Sequence, residues 1–472
     1  MVNQTFFFYD LETSGLDPKR QRIMQFAGQR TDMDLNIIGE PINVLVALAD
    51  DVLPDPAAVM ITGITPQKTH EEGYSEADFL KLLQEQVFTP GTITTGFNSV
   101  RFDDEYMRYT LYRNFYDPYE WQWQDGRSRW DVLDVVRMTR ALRPDGIEWP
   151  VDDAGQPTNR LELLTRENGL DHFAAHDALS DVLALIAVVK LIKEKQPKLF
   201  DFLLKTRSKQ EVARLVNLDN PQPFVYASGR YPKGTLHTTV ALPVAPGGRP
   251  GTMVVYDLRH DPATWADMSV DELKQIRFAP YELRQTEGFV ALPAKELAYN
   301  KCPAVAPLGV LDEPAQQRIV LDMQIVADNL AKLRRSGLAD KLAAVFAADR
   351  EFAKTTDVDG QLYNGFVNDR DKTKMALVRG AGAKELVDLD PAFTDDRLNG
   401  LLLRYKGRNF PQSLAEAERA AWETYRIERL QADLPRFTKE LQRLAAASGS
   451  ERDSFLLQEL QLWAESIAPI VD

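Results

Sequence analysis

Thiols, basic excess and long apolar runs are all missing from this chain, and each absence excludes something. A single cysteine, Cys302, among 472 residues rules out an intramolecular disulfide and points to a reducing compartment. No apolar stretch approaches the length of a membrane span, and the opening "MVNQT" has no signal-peptide pattern. A soluble, cytoplasmic protein without a membrane partner is therefore expected. Basic residues are outnumbered, 56 Lys and Arg against 70 Asp and Glu, for a net charge of −14. Nothing global favours a nucleic-acid partner, so any polyanion site has to be a local basic surface, or one assisted by cations. Neither an internal repeat nor a low-complexity tract occurs.

The composition, 44% hydrophobic and 27% charged, is that of a globular protein, and the length predicts two to four domains. Strands are expected at 5–10, 24–32 and 35–47. Helical periodicity follows at 76–87, 101–116, 130–143, 161–169 and 178–194, which together predict an α/β domain. Beyond it, "LHTTVALPV", the turn "APGGRPG" and "TMVVYDL" predict a β-hairpin, with short strands near 289–306 and helix around 315–353. From about 355 the pattern is helical, and Ser413 with Glu416 reads as a capping box before "AERAAWETYRIERL". The expected domains are 1–196, 197–352 and 353–472.

Within "FFFYDLETSG", Asp10 and Glu12 lie two apart, so a strand sends both to one face. On their own they read as solvated acids at a strand end. Two further segments alter that reading. "GFNSVRFDDEYMR" opens a helix with acids, and "HDALSDVLALIAVV" sets Asp181 among apolar neighbours, where an unpartnered acid is costly. Asp177 is expected to cap that helix, with His176 in the turn before it. Four carboxylates and no cysteine make a hard oxygen site, suited to Mg²⁺ or Mn²⁺ rather than zinc. A pair of divalent ions with a neutral histidine as base implies phosphodiester hydrolysis.

The pieces "DLETSG", the N-x3-F-D of "NSVRFD" and the H-x4-D of "HDALSD" resemble the histidine-type branch of the DEDD exonucleases, which includes RNase T and oligoribonuclease. "ITGITPQ", "VRFDDE", "YRNFYDPY", "ALRPDGIEWP", "NKCP", "QLYNGF" and "GRNFP" are similar to segments of the bacterial exonuclease I family and spread over the whole chain. The resemblance implies an RNase H-like α/β exonuclease domain with a mixed sheet, an SH3-like β-rich domain and an all-α C-terminal domain. It assigns Asp10, Glu12, Asp103 and Asp181 to a two-ion Mg²⁺ site that accepts Mn²⁺, and His176 to the general base. Glu12 and Arg160 are assigned to the substrate near the scissile end, while Asp104 and Glu105 are left as ordinary helix-start acids. The implied reaction is processive 3′-to-5′ degradation of single-stranded DNA to 5′-mononucleotides, in repair and recombination.

Residues 101–143 interleave ten aromatics with eight arginines, a pattern suited to stacking bases and binding phosphates, although eight acids in the same stretch offset the charge. Most of these aromatics are expected to be core. By resemblance, Arg108, Tyr119, Trp123, Arg137 and Lys209 contact the strand. Arg143 is assigned to a pocket for the acidic C-terminal tail of single-stranded DNA-binding protein; other basic residues of that pocket would fall in 311–340, where the pattern departs. A monomer is expected. The alternatives are an exoribonuclease of the oligoribonuclease type, against which the long extension past the core argues, and a catalytically dead nucleic-acid-binding scaffold, against which the full set of ligands argues.

Overall fold

The computed structural model describes residues 3–170, 177–347 and 355–468. The chain forms two compact units, one made of residues 1–128, 172–183 and 353–472, the other of 129–171 and 184–352.

In the first unit, β1 (Thr5–Thr13), β2 (Ile23–Thr31), β3 (Ile37–Leu45) and β4 (Thr92–Gly96) run in the order β3-β2-β1-β4. β1 pairs antiparallel with β2 and parallel with β4, so the sheet is mixed. β5 (Ser128–Asp131) ends the sheet order where the chain leaves this unit. β1 is central because it is apolar on both faces. Phe7, Tyr9 and Leu11 join Phe26 and Phe79 in one core cluster, while Phe6 and Phe8 are buried on the other side. Gly28, opposite Tyr9, admits the Phe7 ring; a Cβ there would lie 2.2 Å from it.

The structure extends β1 three residues past the predicted end. Pairing of Asp10 with Ala27, Leu11 with Phe26 and Glu12 with Gln25 holds the backbone extended despite the weak strand preference of the acids. The helix expected at 101–116 is Asp103–Arg113, and that at 130–143 begins only at Leu133, after β5.

The C-terminal residues of this unit are helical, principally Asp369–Gly380, Asp396–Asn409, Glu416–Ala447 and Glu451–Ile467. The predicted Ser413–Glu416 capping box does not form. Ser413 ends a 3-10 turn and donates to the Phe410 carbonyl, and Glu418 instead reaches back to the Ala415 N–H at 2.9 Å. Leu430, Phe437, Leu460 and Trp463 pack against Leu48, Val52 and Val59. Beside them lies a buried ionic cluster of Arg22, Asp51, Asp359, Arg408 and Arg429.

The second unit holds an antiparallel sheet ordered β10-β6-β7-β8-β9, comprising β6 (Phe224–Ala227), β7 (Thr238–Pro246), β8 (Thr252–Asp257), β9 (Ala294–Ala298) and β10 (Ala304–Pro307). The predicted hairpin is β7–β8. Helices Met323–Arg335 and Leu338–Ala347 follow. Among the described residues, no helix is long and apolar enough to cross a membrane.

Candidate active site

Strand alternation delivers Asp10 and Glu12 to one face of β1. Asp181 arrives from the first turn of the helix Ala178–Lys195, whose start is fixed as expected: Asp177 Oδ2 accepts from the Ser180 N–H at 3.1 Å. Carboxylate oxygens of Asp10, Glu12 and Asp181 all lie within 4.8 Å of one another. Burial, then the charge of Asp181, pushes the Asp10 carboxyl up to about 8. Burial, then Asp10, Asp181 and Asp177, pushes Glu12 up to about 8 as well. Two acids that hold protons near neutral pH, first because they are buried and then because they are crowded together, make a site that a divalent cation would stabilise by replacing those protons. The donors are oxygen only, so the site fits a hard cation of the Mg²⁺ or Mn²⁺ kind.

Asp103 is the first residue of its helix and is 5% exposed, outside the three-carboxylate cluster. Asp104 and Glu105 are not ordinary helix-start acids. Asp104 is buried and accepts a 2.6 Å hydrogen bond from the Tyr9 hydroxyl. Glu105 accepts from Arg108 Nη1 and from the Tyr363 hydroxyl, each at 2.5 Å. Their spacing looks like a solvated helix start; only the fold brings Tyr9 and Tyr363 onto them. The candidate base His176 lies outside the described residues.

Of the proposed strand contacts in this unit, Trp123 is 63% exposed, whereas Arg108 is 6% exposed and held by Glu105, Gln122 and the Tyr119 ring. Tyr119 also meets Phe366, at 6.2 Å between ring centroids, and Phe366 is 90% exposed. Phe366 and Tyr363 had a signal in "QLYNGF", but no chemistry in that segment alone distinguishes them. In the second unit, Arg137 is engaged by Asp134 at 2.6 Å, and Lys209 is exposed at the start of the helix Lys209–Leu215. Arg160 is exposed just before the helix Leu161–Glu167 and pairs with Glu162. Arg143 binds the Val310 carbonyl and Asp312, and Arg318 donates to the carbonyls of Ala141 and Leu142 beside it. Arg318 lies in the segment where sequence reading assigned no residue.

Residues 7–189 match the family described as Exonuclease, 207–348 the Exonuclease I SH3-like domain and 356–467 the Exonuclease I C-terminal domain. Exodeoxyribonuclease I of Haemophilus influenzae is 42% identical over 459 residues, 96% of this chain and 97% of that protein. The Escherichia coli enzyme of the same name is 40% identical over 98% of both chains. A crystal structure of Escherichia coli exonuclease I in complex with a dA16 oligonucleotide matches with a TM-score of 0.95 at 39% identity, covering 98% of this chain and 100% of that one. A mixed-sheet nuclease core with a carboxylate cluster, an antiparallel SH3-like sheet and a helical C-terminal part thus occur together in one chain, and that chain belongs to the exodeoxyribonuclease I family.

Proposed function

We propose that this protein is a Mg²⁺-dependent, processive exonuclease that takes single-stranded DNA from its 3′ end and releases 5′-mononucleotides, acting in the cytoplasm as a monomer in repair and recombination. The observation that carries this reading is the convergence of Asp10, Glu12 and Asp181. These three, with Asp103, would hold two divalent ions, Mg²⁺ with Mn²⁺ able to substitute. Ions held there would supply Lewis acidity toward the attacking water and the leaving 3′ oxygen. His176 takes the proton of the attacking water, a task suited to an imidazole whose ordinary pKa is about 6.5. Glu12 and Arg160 hold the terminal nucleotide. Trp123, Tyr119 and Phe366 offer ring faces to unpaired bases, which a duplex cannot present, while Arg108, Arg137 and Lys209 bind phosphates. The chain is organised as domains 1–196, 197–352 and 353–472.

Arg143, with Arg318 beside it, binds the acidic C-terminal tail of single-stranded DNA-binding protein. The adjacency of two guanidiniums supports that reading.

The deciding experiment digests 5′-labelled single-stranded and duplex DNA, with free and blocked 3′ ends, with and without Mg²⁺. Ladders shortening from the 3′ end, only on single strands with free ends and only with Mg²⁺, are expected. Faster digestion of a matched ribo-oligonucleotide would replace this reading with the exoribonuclease one.

A further inference from the structure

Tyr9 and Asp104 are 95 positions apart, both in the core at 3% and 1% exposed, and joined by a 2.6 Å bond from phenol to carboxylate. Each adjoins a candidate cation ligand. Tyr9 precedes Asp10 on β1, and Asp104 follows Asp103 at the start of the helix Asp103–Arg113. A second tyrosine bond runs the other way: the Tyr106 hydroxyl of that helix donates to the Gly15 carbonyl at 2.5 Å, just past the acidic end of β1. Strand and helix are thus tied at two points that bracket the acids.

Packing alone does not account for the Tyr9 hydroxyl. The ring stacks on Phe26 at 6.1 Å within a cluster that also holds Phe7, a place phenylalanine would fill equally well. Tyr9 also points to the opposite face of β1 from Asp10 and Glu12, so its hydroxyl cannot serve the site directly. What the hydroxyl does is stabilise a buried carboxylate, which would be costly without donors. In doing so it fixes where the helix start stands relative to β1.

We propose that the Tyr9–Asp104 bond is a positioning device for the cation site. It sets the separation between the strand carrying Asp10 and Glu12 and the helix carrying Asp103, and through that separation the affinity for divalent ions. The inference rests on the proposed metal-dependent function. Ligand distances in well-formed cation sites fall within about 0.2 Å of their preferred values, and loss of a group that orients the ligands commonly weakens binding about 10- to 100-fold.

The test is calorimetric titration of Mn²⁺ into the DNA-free protein. Tyr9→Phe and Asp104→Ala are expected to weaken binding about 10- to 100-fold. Asp104→Asn, which keeps an acceptor oxygen for Tyr9, should stay close to the parent, and the Tyr9→Phe/Asp104→Ala pair should lose no more than the weaker single variant. KM for single-stranded DNA should not change in any of them. A merely structural bond would lower the melting temperature while leaving Mn²⁺ affinity intact, and that result overturns the proposal. Losses that multiply in the double variant overturn it too. Should Tyr9→Phe not fold, the contrast between Asp104→Ala and Asp104→Asn carries the same decision. A parent protein that binds no Mn²⁺ would defeat the metal reading itself, which is a different failure from a parent that binds and variants that match it.

Discussion

Arg408 grips Asp359 with two parallel hydrogen bonds, Nη1 to Oδ1 at 3.1 Å and Nη2 to Oδ2 at 2.6 Å, both side chains lying inside the first unit. The same guanidinium reaches Asp51 at 2.7 Å, while Arg22 and Arg429 approach Asp359 at 3.1 and 3.3 Å. Removing one carboxylate would leave several buried cations uncompensated, the costly way to break such a cluster. Asp359→Ala should therefore lose about 3–5 kcal/mol of stability, read from the urea unfolding midpoint.

The same cluster should make the unit sensitive to acid. Burial opposes ionisation of Asp51 and Asp359, but Arg408 with its neighbouring arginines outweighs it and holds both carboxyls below the usual range. A carboxyl depressed in the folded state contributes stability above its unfolded pKa of about 3.9 and loses that contribution as pH falls toward the folded value. Thermal scans from pH 6 downward should show a steep loss below about pH 4, and the loss should be shallower in Asp359→Ala.

At the carboxylate cluster the sign reverses. Asp10 and Glu12 are raised to about 8, so the cation-free folded protein binds more protons than the unfolded chain between the usual carboxylate range and that value. Stability without a cation should fall as pH rises through this window. Asp10→Asn should be more stable than the parent at pH 8 in chelator and inactive with Mg²⁺, while still binding single-stranded DNA in a shift assay. Near-normal turnover in that variant would remove Asp10 from the site.

His176→Ala should reduce the rate about 10²- to 10⁴-fold, the usual scale for a lost general base. It should also erase the acidic limb of the pH–rate profile. An unchanged limb would assign the proton to another group.

Trp123 and Phe366 present large exposed rings. Trp123→Ala and Phe366→Ala should each weaken single-strand binding by about 1–3 kcal/mol, measured by fluorescence anisotropy on a long oligonucleotide, with duplex binding unaltered. Equal affinity for parent and Phe366→Ala would confine the strand path to residues nearer the N-terminus.

Part of the site could be read from spacing: alternation on a strand puts Asp10 and Glu12 on one face, and the apolar neighbours of Asp181 mark it as an acid that needs a partner, but that the three meet is a property of the fold. The hairpin β7–β8 was equally plain, its turn glycines lying between β-branched runs. β4 was not. "TITTG" is short and mostly threonine, and it becomes a strand because β1 offers it a parallel partner with every residue buried. Asp104 and Glu105 looked solvated for a related reason: their partners, Tyr9 and Tyr363, are 95 and 258 positions away. Arg22, Asp51 and Asp359 carried no local signal at all, since a buried ion cluster is defined by its closure in space.

That closure also sets a schedule for making the protein. Asp51 and Arg408 are 357 positions apart, so at about 5–20 residues per second a ribosome needs roughly 20–70 s to supply the arginine after the acid has emerged. Until then Asp51 lacks its partners Arg408 and Arg429, and Leu48, Val52 and Val59 lack the cover of Leu430, Phe437, Leu460 and Trp463. The helices Asp396–Asn409, Glu416–Ala447 and Glu451–Ile467 thus complete the unit that β1 begins, and that unit closes only after they have been made.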